Sequence, residues 1–161
     1  MKRKLVLSTL LLFFLTSCFP LKMTIVDLPD TVKQVEVNES KNELFVKANN
    51  WMVETFIDAK SVIQFTDKES GTVTGKYLLK SEYVNLNTLN SRVSPEVYAI
   101  IKIQVKDGAS QITINPSEFE QYETQNITLR ETYYSKVQAE KRINELTDSF
   151  IAYMRKKTDK F

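Results

Sequence analysis

The residue with the most specific chemistry is the single cysteine of the chain, Cys18, which closes the sequence Leu15-Thr16-Ser17-Cys18. A basic start, Lys2-Arg3-Lys4, and an apolar run from Leu5 to Leu15 precede it. Basic, apolar and small residues in this order before a cysteine are typical of a lipoprotein signal, in which residues 1–17 are removed and the cysteine thiol receives lipid. We therefore predict lipid attachment at Cys18 and an anchored location in the cell envelope.

Two other interpretations of this leader are weaker. The apolar run is well short of the roughly 20 residues that a helix needs to cross a bilayer. An ordinary secretory leader needs only a small residue before the cleavage point, which Ser17 would supply, but the cysteine directly after it favours a lipoprotein. Phe19 then stands where some lipoproteins carry the aspartate that retains them at the inner membrane. The expected destination is therefore the outer membrane, facing the periplasm.

The composition excludes several kinds of catalytic site. The sequence contains no histidine, which excludes Ser-His-Asp and Cys-His nucleophile systems, histidine zinc sites and a histidine pH switch. Once Cys18 carries lipid, no thiol is left for a disulfide. Three of the 22 basic residues lie in the leader and no acid does, so 19 basic side chains face 20 acidic ones in the mature chain. This balance disfavours a nucleic-acid partner.

Two further patterns suggest chemistry but are weak. Gly71-Thr72-Val73-Thr74-Gly75-Lys76 resembles a phosphate-binding loop, but it has three residues between the glycines instead of four and Tyr77 after the lysine. A strand of a hairpin is the better interpretation. Carboxylates could pair for hydrolysis or bind a weak Ca²⁺ at Glu118, Glu120 and Glu123, or at Asp67 with Glu69. Because the neighbours of these carboxylates in the sequence are mainly polar, we interpret the carboxylates as solvated surface. We expect no catalytic residue, metal or cofactor.

The elements that position these residues follow from hydrophobic periodicity. Ser40-Lys41-Asn42-Glu43 is a capping box, and the apolar residues behind it recur at helical spacing for about four turns. Trp51 lies in that stripe, which predicts a core residue, with a ligand-stacking role as the alternative. A second helix is predicted from about Tyr133 to Lys157. Strands are predicted over 32–37, 62–66, 72–80 and 97–106, with a return strand through Ile112 and Ile114 that stops at Pro116.

This order predicts an α+β fold, β-α-β-β-β-β-α, with an antiparallel sheet of about five strands and two helices on one face. Residues 1–17 form the signal peptide, 18–31 the anchored N-terminal segment and 32–161 a single domain. The segment up to Thr31 is too apolar for a free tether, so part of it should pack on the domain or pair as an edge strand. Residues 118–129 show no clear period.

The sheet face opposite the helices is left open by this arrangement. The polar residues expected on it form the candidate binding face: Thr72, Thr74, Lys76, Lys102, Gln104 and Lys106. Such a face is often only a solvated side of an antiparallel sheet, and the alternative is a docking surface for a protein, peptide or glycan.

The N-terminal part of the domain resembles a known family. Val35-Glu36-Val37 leading to Ser40-Lys41-Asn42-Glu43-Leu44, then Asn50-Trp51 and the turn Asp67-Lys68-Glu69-Ser70-Gly71, is similar to a bacterial family of domains of unknown function. That family is assigned a TBP-like fold and is common among lipoproteins and secreted proteins of the Bacteroidetes. The resemblance implies the same strand and helix order, and it brings no catalytic residues.

Three functions are compatible with these observations. The favoured one is a membrane-anchored binding or assembly module whose partner is an envelope protein, peptide or glycan. A hydrolase-type enzyme using carboxylate, tyrosine or lysine residues is the second, and the absence of histidine weighs against it. Nucleic-acid binding by analogy with the fold is the third, and both the charge and the predicted location weigh against it.

Overall fold

The computed structural model describes residues 22–56, 62–80, 83–84, 93–94, 96–123 and 134–156. Cys18 and the leader lie outside these ranges. The described residues form nine strands and two helices, with these bounds: β1 Lys22–Val26, β2 Thr31–Glu36, α1 Lys41–Thr55, β3 Val62–Asp67, β4 Thr72–Lys80, β5 Tyr83–Val84, β6 Val93–Ser94, β7 Val97–Lys106, β8 Ala109–Pro116, β9 Phe119–Glu123 and α2 Lys136–Arg155.

The main sheet has five strands in the order β2-β8-β7-β4-β3, and every neighbouring pair is antiparallel. Both helices pack on one face of it, α1 against β4, β7 and β8, and α2 against β2 and β8. Two small sheets, β1-β9 and β5-β6, complete the described structure. The predicted α+β architecture, an antiparallel five-stranded sheet with two helices on one side, is confirmed.

The central strand β7 shows why the sheet has two different faces. Its buried and exposed residues alternate without a break over Val97–Lys106, which are the bounds that the sequence predicts. Ile101 and Ile103 are fully buried under the helices, whereas Lys102 and Gln104, which alternate with them, are exposed. A two-residue turn at Asp107-Gly108, with Gly108 at φ 78°, then returns the chain into β8.

Helix α1 begins as the capping box predicts. The Ser40 hydroxyl accepts from the Glu43 backbone N–H, and the Glu43 carboxylate accepts from the Ser40 backbone N–H. Trp51 is buried, its ring lies edge-on to Phe56 and Phe150, and its Nε1 donates to Ser149 Oγ at 3.3 Å. The prediction of Trp51 as a core residue is confirmed.

Helix α2 is shorter than predicted, because it starts at Lys136 and ends at Arg155 rather than running from about Tyr133 to Lys157. The start is fixed by a second capping box, in which Ser135 and Gln138 exchange hydrogen bonds between side chain and backbone. The apolar stripe expected at helical spacing is buried at Ala139, Ile143, Leu146 and Phe150, whereas Tyr153 at its end is half-buried and Met154 beside it is fully enclosed.

The described part of the apolar N-terminal segment, from Lys22 onward, is part of the fold. Strand β1 pairs with β9, from Lys22 opposite Glu123 to Val26 opposite Phe119. Val26 and Leu28 are buried in the common core. The expectation that this segment packs on the domain and pairs with a strand is therefore met, and β9 accounts for part of the 118–129 stretch in which no period was visible.

Candidate functional site

The six residues of the candidate binding face lie on the side of the main sheet away from the helices. Thr72 pairs with Gln104 and Thr74 with Lys102 across β4 and β7, and cross-strand partners share a face. Lys102, Gln104 and Lys106 are exposed, Thr74 and Lys76 are half-buried, and Thr72 is only 9% exposed. As the site of a binding activity, this face stays a prediction.

Thr72 departs from the expectation of an uncovered position. It lies on the inner strand β4, between Asp67 of β3 and Gln104 of β7, and its short side chain is enclosed by these neighbours. Thr72 therefore contributes little to the surface that a partner would contact.

Lys76 is held in place. Its Nζ lies 3.7 Å from the centroid of the Tyr98 ring, an arrangement in which a cation is attracted to the π face. The Tyr98 hydroxyl in turn donates to a carboxylate oxygen of Glu96. Lys76 is consequently a fixed cation packed on an aromatic ring, whereas Lys102 and Lys106 extend into solvent.

The register reveals a row of side chains that crosses the open face from edge to edge. Phe65 pairs with Thr74, Thr74 with Lys102, Lys102 with Thr113, and Thr113 with Val32. Phe65 is 56% exposed and Val32 is exposed as well. The row thus places an exposed lysine between two exposed apolar ends.

Ile100 adds to the apolar area. It pairs with Lys76 on one side and with Asn115 on the other, and it is 38% exposed. Strict alternation along β7 would have placed Ile100 beside Lys102 on the open face, so a signal for it is present in the sequence.

Phe65 could not be found in this way, because β3 contains an irregularity in its pairing. Ile63 pairs with Gly75 and Phe65 with Thr74, so one extra residue lies between two consecutive pairs. Alternation would keep Phe65 on the side of Ile63, but the bulge reverses the facing of the strand at that point. Nothing in the residue types of this strand marks the bulge.

Among the carboxylates considered for hydrolysis or Ca²⁺, Asp67 has a structural role in a turn. Asp67 accepts from the backbone N–H groups of Glu69 and Ser70, and hydrogen bonds from Ser70 and Glu69 lower its pKa. It therefore serves as the turn former of the β3–β4 hairpin. Among the residues that the structure describes, no group of three or more acidic, cysteine or histidine side chains is placed to hold a metal ion.

A cluster of phenols and cations lies between the sheet and α2. Arg142 Nε donates to the Tyr77 hydroxyl at 2.7 Å, and Lys80 Nζ is 5.9 Å from the centroid of the Tyr134 ring. Burial, with a smaller effect of Tyr77, raises the pKa of Tyr134 to about 12, and burial lowers the pKa of Lys80. Tyr134 therefore stays protonated at neutral pH and cannot act as a general base there.

The Tyr134 hydroxyl is buried and accepts or donates no hydrogen bond within the described part of the chain. It is enclosed against Phe119, whose ring centroid is 5.1 Å away. We interpret the cluster as a structural contact, in which the hydrogen bond from Arg142 to Tyr77 joins α2 to β4. Alternation along β4 puts Tyr77 on one face with Val73 and Leu79, but its partner on α2 follows only from the docking of that helix.

Within the described ranges, no helix has the length and apolar character needed to span a membrane. No curated protein matches the sequence. Several solved structures are similar over most of the chain. A DUF4468 family protein from Bacteroides ovatus has 14% identity and a TM-score of 0.50, covering 82% of this chain and 89% of its own. A TBP-like protein from Parabacteroides distasonis has 18% identity and a TM-score of 0.47, covering 80% and 94%.

A more distant structure, the Ara h 8.0201 protein, has 9% identity and a TM-score of 0.38 over 81% of this chain and 95% of its own. A model of a family of domains of unknown function with a TBP-like fold, DUF4468, matches residues 32–120, more than half of the sequence. That range runs from β2 to the start of β9 and contains α1 and the four other strands of the main sheet. The chain belongs to the DUF4468 family of domains with a TBP-like fold.

Proposed function

We propose that the protein is a lipid-anchored binding module that docks an envelope protein on the open face of its main sheet. The observation that carries the proposal is the row from Phe65 through Lys102 to Val32, which no described helix covers. Exposed apolar side chains that stand beside charged ones on an uncovered sheet face are candidates for contact with a partner.

The apolar part of this face favours a protein over a glycan. Phe65 and Ile100 expose an aromatic and an aliphatic side chain on the same face. Removing apolar surface from water is favourable by about 25 cal/mol for each Å². A partner with apolar surface of its own therefore gains the most free energy by covering Phe65 and Ile100. Side chains of a folded partner or of a bound peptide segment provide such a surface.

The charge of the face indicates the chemistry of the partner. Lys102 and Lys106 are exposed and Lys76 is fixed on Tyr98, while the mature chain as a whole is close to neutral. Lys106 pairs with Ala109, which pairs with Glu36 on β2. Because Glu36 is an exposed acid, the cationic area lies toward β7 and β4. A partner that presents carboxylates beside apolar side chains would complement this area.

The leader supports the anchored location. A lipid on Cys18 would hold the sheet within reach of other envelope proteins, and Phe19 favours the outer membrane facing the periplasm. A tethered module needs only modest affinity, because the anchor raises the effective concentration of partners in the same membrane.

The experiment places a photo-crosslinking amino acid at Phe65 or Gln104 on the open face and, as matched controls, at Val53 or Val137 on exposed positions of the helices. All four positions are exposed. In intact cells, we expect a discrete protein adduct from the face positions only. Lys102→Glu with Lys106→Glu should remove that adduct and weaken binding of the purified, identified partner by about tenfold or more.

The charge reversals should leave folding nearly intact, because exposed charges are worth under about 1 kcal/mol each. Lys136→Glu with Lys141→Glu on α2 is the matched control, since both lysines are exposed. Equal adducts from face and helix positions, or an adduct that survives the charge reversal, would contradict the proposal. An adduct removed by glycosidase would identify a glycan in place of a protein.

A further inference from the structure

The β1–β9 ribbon packs on the core at the Val26 end of one side, and its other side lies in solvent. Val26 and Phe119, which are cross-strand partners, are both buried. Because side chains alternate along a strand, Met23 and Ile25 project from the opposite side of the ribbon. They are 48% and 53% exposed, so two large apolar side chains lie next to each other on the surface.

The position of these residues relative to the lipid is limited by the chain itself. Met23 is five residues after Cys18. At most about 3.6 Å is spanned by each residue of an extended chain, so the Cα atoms of Cys18 and Met23 are no more than about 18 Å apart. Acylation of Cys18, as proposed above, would place this cysteine at the boundary of headgroups and hydrocarbon and would hold the ribbon beside the membrane surface.

We propose that the side of the β1–β9 ribbon that carries Met23 and Ile25 lies against the bilayer into which the lipid of Cys18 inserts. This inference rests on the anchoring in the proposed function. Glu120, the cross-strand partner of Ile25, is half-buried on this ribbon. Because a carboxylate is costly to move into hydrocarbon, the apolar side chains lie among the lipid headgroups and do not enter the hydrocarbon core. The contact fixes how the domain is oriented on the membrane.

The chain offers a direct test, because Cys18 is its single cysteine and the proposed lipidation would consume that thiol. Met23→Cys and Ile25→Cys each introduce one thiol for a bimane fluorophore, in the full lipidated protein reconstituted in phosphatidylethanolamine–phosphatidylglycerol vesicles. Thr24→Cys is the matched control, since Thr24 is exposed and lies between them on the other side of the ribbon. Val53→Cys on α1 is a distant control.

A nitroxide-bearing phospholipid should quench bimane at positions 23 and 25 at least about twofold more than at position 24, following the alternation of the strand. Quenching at position 53 should be absent. Equal quenching at 23, 24 and 25, or none at any of them, overturns the inference.

Flotation of the same samples distinguishes failure of the ribbon contact from failure of the lipid anchor. Protein that floats with the vesicles but shows no quenching at 23 and 25 retains its anchor and refutes the ribbon contact alone. Protein that does not float refutes the anchor, and the ribbon contact with it. Unchanged far-UV circular dichroism of each labelled variant shows that the exposed substitutions leave the fold in place.

Discussion

At the scale of single residues, the least expected side chain is Lys47, a lysine in the middle of α1 that is buried against the C-terminal end of α2. Its Nζ donates to Glu39 Oε1 at 2.8 Å and to the backbone carbonyls of Met154 and Lys156 at 2.8 and 2.6 Å. An ammonium group has three protons, and here each has an acceptor. Lys47 on α1 therefore binds carbonyls that are left free where α2 ends, and a cation at a helix C-terminus also interacts favourably with the helix dipole.

Replacing this lysine should be costly. Lys47→Met should lower the free energy of unfolding by about 3 kcal/mol, because it leaves the Glu39 carboxylate and two carbonyls without their donor. Urea denaturation measures the change. Lys136→Met, at a lysine with a 57% exposed side chain, is the control and should change stability by less than about 0.5 kcal/mol. If both variants unfold at the same urea concentration, the buried contacts of Lys47 contribute nothing net.

At the scale of elements, two hairpin turns and the start of α1 meet at one end of the sheet. The Asp107 carboxylate accepts from the Lys41 backbone N–H at 2.7 Å, and Lys41 Nζ donates to the Glu69 carbonyl. Val105 N–H donates to the Gly71 carbonyl at 2.9 Å. The β3–β4 turn is thereby joined both to β7 and to the helix.

Gly71 permits this close approach. Its φ is +71°, and a Cβ built there would lie 2.4 Å from the Val105 carbonyl oxygen. Gly108 has a similar φ of +78°, but its Cβ would meet only the Val37 carbonyl oxygen at 3.9 Å. Gly108→Ala should cost about 1–2 kcal/mol, the strain of a left-handed conformation. Gly71→Ala should cost clearly more, because backbone must also move. Thermal unfolding compares the two, and equal melting temperatures would show that the close contact is relieved without cost.

The sequence predicts the elements well where periodicity and capping are regular. The bounds of β7 follow from its alternation, and the start of α1 follows from Ser40 and Glu43. The start of α2 was missed because Tyr134 continues the apolar pattern without being helical, although Ser135-Lys136-Val137-Gln138 is itself a capping-box sequence. The facing of Phe65 was missed because a bulge is set by pairing with β4 and not by local residue types.

At the scale of the whole molecule, the fold has one covered and one uncovered sheet face, and two aromatic residues mark the difference. Trp51 is buried on the covered side. It contacts Phe56 at the end of its own helix, α1, and also Phe150 and Ser149 of α2. It therefore links the two helices. Phe65 is 56% exposed on the uncovered side, where it contributes surface but little core.

Alanine at these two positions should therefore separate stability from binding. Trp51→Ala should lower the free energy of unfolding by about 3–5 kcal/mol, because it removes the largest buried side chain that joins α1 to α2. Phe65→Ala should lower it by less than about 1 kcal/mol, since most of its surface is already in water, yet it should remove the apolar end of the row that the proposed partner contacts. Far-UV circular dichroism during urea unfolding measures both variants, and Trp51→Phe tests whether a smaller aromatic ring retains part of the helix contact. A loss of stability at Phe65 as large as that at Trp51 would mean that the uncovered face is part of the core, and the assignment of that face to a partner would then fail.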